Sequence, residues 1–320
     1  MKAIKILAMA ALATAVFTSC SNDEELAQSN YPADNVVRVT TSVEDITTRS
    51  FHTTNTLNEF GFCIANRNSR YSYNNIKMTK EGTKWNPSSQ MLWENSTQPV
   101  TIMAYAPFYS GGDAENMTNF YKYPVSVGTL QKTGTYESDF LVYKKTGFVP
   151  ERDLKNGAVE ITFTHALSLL NIKIEFGTDF NNTTPLASNP INNIYIGGSI
   201  NKGFADLSAN PITVEVDATC APVLIEPERG EFTAAANNDA HATVNYSAIL
   251  IPQTITQGFR VEFEINGKIY VWRASESVVA TLEAGKQHLL TLTVGKDFVK
   301  AGSMKASPWG EGTGATLETE

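Results

Sequence analysis

The chain has 320 residues, with 25 basic and 33 acidic side chains, a formal net charge of −8 and a hydrophobic fraction of 42%. That length suits two domains with ordinary cores, and the acidic balance argues against a general affinity for nucleic acid or anionic lipid. Three cysteines, Cys20, Cys63 and Cys220, form no CxxC or Cys/His cluster, so the spacing gives no sign of a structural zinc site.

The chain opens on Lys2 and Lys5, followed by an apolar run from Ile6 to Phe17. The run is too short to span a bilayer and suits the core of a secretory signal peptide. It ends in Phe17-Thr18-Ser19-Cys20, which resembles a bacterial lipobox. Residues 1–20 are therefore read as a lipoprotein signal peptide, with Cys20 as the acylated residue; the alternative is an ordinary leader with an incidental cysteine. Asp23-Glu24-Glu25 resembles the surface-export signal of Bacteroidetes lipoproteins, against the plainer reading of a solvated tether. Residues 21–35 are polar and read as a flexible tether.

Val36 to Val43 alternates, with Val37, Val39, Thr41 and Val43 on one face, and predicts the first strand. The following Glu44–Thr56 stretch has no periodicity and carries Arg49 among Thr and Ser, as an exposed loop would. Phe60–Ala65 predicts a strand with Phe60, Phe62 and Ile64 on one face and Cys63 on the other. Residues 66–90 are rich in Asn, Ser and Tyr and read as a long loop or irregular hairpin. Val100–Ala106 is a strong strand ended by Pro107, and 125–127 and 139–146 are further strands.

The centre of the chain is Ile161–Phe176. Ile161, Phe163 and His165 are apolar-face positions of odd number, whereas Leu170, Ile172, Ile174 and Phe176 are even. A regular strand has a period of two, so a bend or bulge at 165–169 must absorb the slip, and such a segment can leave one sheet and enter another. Residues 150–157 read as an interdomain turn. Beyond 176 the strand candidates are 191–196, 212–216, 223–225, 243–251, 259–265, 268–273, 278–282 and 287–294. The clearest is FRVEFEI-NG-KIYVWR, where Asn266-Gly267 supplies the positive φ angles of a two-residue type I′ turn. Residues 300–320 are polar apart from Trp309. Many short strands without a sustained helical period predict an all-β chain of two sandwiches. The expected division is 36–156 for the N-terminal sandwich and 157–320 for the C-terminal one with its polar tail.

The search for chemistry finds little. His52, His165, His241 and His288 form no metal-ligand pair, and His165 and His288 read as core or boundary histidines. Neither GxSxG nor a phosphate-binding glycine loop occurs. Glu262 and Glu264 share a strand face with Arg260 and read as a salt-bridged surface rather than an acid–base pair. Tyr71, Tyr73, Trp85 and Trp93 are candidates for stacking on sugar rings, or for capping the end of a sandwich. Cys63 and Cys220 are expected as free thiols. Neither an enzyme nor a cofactor is expected.

Several stretches together carry a resemblance. They are the Cys20 lipobox, the early strand followed by Thr48-Arg49-Ser50, VTIMAYAPF, ITFTHALSLLNIKIEF, and the run AILIPQTI…FRVEFEINGKIYVWR…LEAGKQHLLTLTV ending near SPWGEG. In this order they resemble a Bacteroidetes fimbrillin of the Mfa-like or FimA-like kind, over nearly the whole chain. The resemblance implies two transthyretin-like β-sandwich domains in tandem. It implies an outer-membrane lipoprotein precursor at the cell surface, built into a fimbrium as stalk, tip or anchor. It also implies proteolysis after an arginine, here matched by Arg49, that frees the first strand so that a strand of another fimbrial subunit replaces it. Residues 287–320 are the first place to look for a donor. A host or bacterial surface glycan or protein is the candidate adhesion target. The rival reading is a monomeric surface glycan-binding lipoprotein.

Overall fold

The computed structural model describes residues 30–44, 52–109, 122–132, 138–274, 280–302 and 304–309. The described chain is built almost wholly of β-strands. In the first half these are β1 (Val39–Val43), β2 (Glu59–Ala65), β3 (Tyr73–Glu81), β4 (Lys84–Pro87), β5 (Val100–Ala106), β6 (Tyr123–Ser126), β7 (Leu141–Phe148) and β8 (Val159–His165), with one short helix, α1 (Pro150–Asp153), before β8. Then come β9 (Ser168–Phe176), β10 (Ile191–Ser199), β11 (Lys202–Asp206), β12 (Thr213–Val216), β13 (Val223–Ile225), β14 (Glu228–Thr233) and β15 (Thr243–Leu250). The last seven are β16 (Gln253–Ile255), β17 (Arg260–Ile265), β18 (Lys268–Arg273), β19 (Ala280–Leu282), β20 (Lys286–Gly295), β21 (Phe298–Ala301) and β22 (Lys305–Pro308).

Seven strands form one sheet in the order β1-β8-β7-β5-β2-β3-β4. All neighbours are antiparallel except β1 and β8, which run parallel. The sheet rolls until its two edges approach: Trp85 of β4 donates to Thr41 of β1, and Val36 bridges Leu92. Alternation sorts the side chains of the central strands. Phe60, Phe62 and Ile64 of β2, with Ile102 and Ala104 of β5, fill the inside of the roll. Cys63, Met103 and Tyr105 point the other way. VTIMAYA is apolar on both faces because β5 is covered on both.

The outer cover is a three-stranded sheet, β12-β11-β6. Its strands β11 and β12 belong to the second half of the sequence, and β6 pairs with β11. The same buried cluster runs on into a C-terminal sandwich, where the sheet β14-β15-β9-β20-β21, with β22 on the same edge of β20, faces β13-β10-β17-β18. β16 and β19 pair separately. β20 lies parallel to β9 over Gln287–Val294, opposite Leu169–Phe176.

The frame slip at the centre is a passage between sheets. β8 hydrogen-bonds to β7 and β1 in the first sheet, β9 to β15 and β20 in the other, and Ala166-Leu167 turns the chain between them. The change of sheet thus falls at Ala166-Leu167, while the division expected from the residues lies between 156 and 157. Residues 150–157 pack on the first sheet: Pro150 opens α1 at its first position, and Lys155 bridges Ala158 across Asn156 (φ 49°) and Gly157 (φ 77°). Of the two readings of 66–90, a long loop or an irregular hairpin, the chain shows the second, the β3–β4 hairpin. β11, β14, β16, β21 and β22 are strands not anticipated from the residues.

Candidate functional site

The first strand sits in a groove, and the groove is the candidate site. Alternation puts Val37, Val39 and Val43 inside, where they join a buried cluster with Phe60, Phe163, Ile161, Met91 and Trp93. Main-chain bonds hold the segment in two places. Near its start Val37 N donates to Met91 O (3.0 Å), and Trp93 N donates to Asn35 O (2.8 Å). Further along, β1 pairs with β8 from Val39 opposite Val159 to Val43 opposite Phe163, flanked by Val159 N to Arg38 O (2.8 Å) and Glu44 N to Phe163 O (3.0 Å).

The other edge of β1 faces β4, and there side chains do the holding. Trp85 Nε1 donates to Thr41 Oγ1 (3.0 Å), and Val43 N donates to Thr54 Oγ1 (3.1 Å). Trp85 is itself fixed edge-on against Phe60, ring centroids 4.8 Å apart. Outward residues are loosely tied. Ser42 Oγ reaches Thr162 Oγ1 (3.2 Å) on β8, and Arg38 forms an exposed forked pair with Asp34 at 3.0 and 2.5 Å. The Arg38 guanidinium holds the Asp34 carboxyl down to about 2. Arg38 is thus engaged twice, by its exposed side chain with Asp34 and by its carbonyl with Val159 N on the β8 edge.

Arg49 and Cys20 both lie outside the described residues. Arg49 falls in the stretch 45–51 between Glu44, the residue after β1, and His52. The part of 287–320 that the structure describes is docked on its own sheet: β20 lies between β9 and the β21/β22 edge, and Trp309 is buried; residues 310–320 lie outside the described residues.

Three of the four sugar-stacking candidates are used in packing, while half-buried Tyr71 has Arg70 over its ring. Trp93 stacks on Phe148 (5.8 Å, 10°), Trp85 abuts Phe60, and the Tyr73 hydroxyl bonds both the N–H and the carbonyl of Leu92. Arg260 Nε donates to Glu262 Oε2 (3.1 Å) on a half-exposed strand face, as a salt-bridged surface would. Among the described residues no group of His, Cys, Asp or Glu is placed to hold a metal ion. Cys63 and Cys220 are free thiols. Cys63 is buried among apolar groups, which pushes its thiol up to about 12 and leaves it without thiolate character at neutral pH.

A second cluster went unnoticed in the sequence. Asp139, fully buried, accepts from His52 N (2.9 Å) and pairs with His165 Nδ1 (2.9 Å). The His165 ring stacks on Trp309 with centroids 4.4 Å apart and planes 9° apart. The residues just after the 45–51 stretch and the central bend therefore meet at one carboxylate, and Trp309, just past β22, covers the bend's histidine. An aspartate two residues ahead of a strand gives no sequence signal of this kind.

A family model described as fimbrillin-like matches residues 40–309. No curated protein matches the chain. Among solved structures, a candidate cell adhesion protein from Bacteroides uniformis is 18% identical, with 87% of this chain and 99% of that one covered and a TM-score of 0.58. Another, from Bacteroides ovatus, is 13% identical, with 86% and 97% covered and a TM-score of 0.62.

Proposed function

The chain belongs to the fimbrillin-like family, and from that premise we propose that it is a cell-surface fimbrial subunit that joins a neighbour by strand exchange, released by a cut after Arg49. The supporting observation is the seating of β1. It is an edge strand with a main-chain ladder to β8 alone, buried valines, and side-chain contacts along its other edge. Cutting after Arg49 severs the covalent tie and leaves the packing intact. Once the strand departs, the edge of β8 and an apolar groove are open, and main-chain bonds to a strand from another chain are ready-made. Such a contact is head-to-tail and open-ended, as a fibre needs.

The order of features adds a consequence. Cys20, β1 and Arg49 follow one another along the chain. If Cys20 is acylated, the cut parts the lipid together with β1 from the rest of the protein. An uncut copy stays tethered to the outer membrane, and a cut copy is held only by its neighbours.

The test treats purified precursor with an arginine-specific protease and follows size by light scattering, with and without a partner subunit. The parent should grow and Arg49→Ala should stay monomeric. If the parent stays monomeric with the partner present, the mechanism fails. The rival, a glycan-binding monomer, has one structural support: a cavity of about 450 Å³ walled by Phe108, Tyr109, Tyr123, Phe140 and Phe204, with Asp217 and Lys202 at its edge. Saturable binding of a polysaccharide by an uncut monomer would favour it.

A further inference from the structure

Resting on the exchange reading, we propose that the groove selects its incoming strand by a polar position. The occupant it fits is an extended segment that runs parallel to β8. It carries aliphatic side chains where Val37, Val39 and Val43 now sit, and a hydrogen-bond acceptor, Thr or Ser, where Thr41 sits.

The argument starts from what each position meets. Val37, Val39 and Val43 enter an apolar cluster, and any aliphatic side chain of similar volume serves there. Thr41 has the same facing but a different neighbour. The indole N–H of Trp85 points at its hydroxyl across 3.0 Å. An indole nitrogen donates and cannot accept, so its partner must bring an acceptor oxygen. Trp85 is half-buried between β1 and Phe60 and cannot swing to water without giving up its edge contact with that ring. An aliphatic residue at this position leaves the N–H facing carbon. Removing one partner from such a bond costs more than the bond's net contribution, because the remaining donor is left desolvated.

Direction and phase follow from the same contacts. The ladder to β8 is parallel. An antiparallel occupant, or one displaced by one residue, brings a different side chain to Trp85, and a one-residue slip turns every aliphatic side chain outward. The polar position thus reports register as well as identity. The outward positions of Arg38 and Thr40 are exposed and leave the occupant's charge free to vary.

The experiment uses the full chain cut after Arg49 alone, the single cut verified by mass, and stripped of its released segment so that the groove is open. Fluorescent peptides with the sequence of residues 35–44, unchanged or carrying Thr41→Val or Thr41→Ser, are equilibrated with it, and binding is read by fluorescence polarisation. The Thr and Ser peptides should bind within about twofold of each other. The Val peptide should bind about tenfold more weakly, equivalent to about 1.4 kcal/mol. On a Trp85→Phe protein the difference should collapse. If all three bind the parent equally, the polar selection is wrong and the exchange reading stands. If none enters the groove, exchange itself fails and the selection falls with it. Should Trp85→Phe not fold, the ranking of the Val peptide against the Thr and Ser peptides on the parent decides alone.

Discussion

At the scale of single residues, Asp139 holds together three distant parts of the chain. It accepts from His52 N and pairs with His165, whose ring lies flat on Trp309. Asp139→Ala strips the buried His165 Nδ1 and the partly buried His52 N of their acceptor and should cost about 3 kcal/mol, because the groups left behind are desolvated and unpaired. The check is the urea midpoint, followed by tryptophan emission, which should also report the loosening of Trp309. Two other histidines make stability depend on pH. Burial pulls His288 and His52 below the ordinary value of 6.5. His288 Nε2 accepts from Glu283 N at 3.0 Å and can do so only while unprotonated. Above 6.5 both folded and unfolded chains hold these rings neutral. As the pH falls through 6.5 the unfolded chain binds protons that the folded chain does not, so stability declines. Unfolding free energy should therefore be lower at about pH 5 than at about pH 7, and His288→Gln should flatten that slope.

At the scale of elements, the β17–β18 hairpin is a turn that its residues specify. Ile265 pairs with Lys268, and Asn266 (φ 50°) and Gly267 (φ 80°) occupy the positive-φ positions of a type I′ turn. A Cβ at Gly267 would meet nothing within 4 Å, so any cost there is conformational. Gly267→Val should destabilise by about 1–2 kcal/mol, since a β-branched residue is forced into the left-handed region; an unchanged melting temperature would contradict the register. The hairpin was legible because its strands alternate and its turn is local. β3 was not. Asn75 sits at φ 50° beside a register shift opposite Phe62 and Ile64, which breaks the alternation and turns the Asn75 side chain to the Tyr105 hydroxyl. The bend between β8 and β9 was legible as a slip of frame, but its sheet partners were not. The central strand candidates and the face of Cys63 followed from period alone. The Trp85–Thr41 bond joins residues far apart in sequence, and no local pattern announces it.

At the scale of the molecule, the sheet order was hidden because distant segments decide it. β6 crosses to β11, β1 reaches β8 in parallel, and β20 lies parallel to β9. The result is two buried clusters with different memberships. One fills the rolled first sheet and contains Val37, Val39 and Val43. The other runs from the outer face of β2 and β5, past β6 and β11, through the C-terminal sandwich, and contains nothing from β1. Burial of three valines contributes about 6 kcal/mol at about 2 each, as an upper estimate. That is comparable to the whole stability of an ordinary domain. A cut after Arg49 should therefore leave β1 in place until another strand displaces it, and its loss should be felt in one cluster only. Amide hydrogen exchange tests this. In protein cut after Arg49 and stripped of its released segment, Val159 and Trp93 lose their carbonyl partners Arg38 and Asn35 and should exchange faster. Amides of β9, β15 and β20 should keep the rates of the uncut protein, because their ladders and core are untouched. Faster exchange throughout β9, β15 and β20 would mean that the two clusters melt together and that β1 cannot leave without unfolding the body. Unchanged rates at Val159 and Trp93 would mean that β1 is not what protects them.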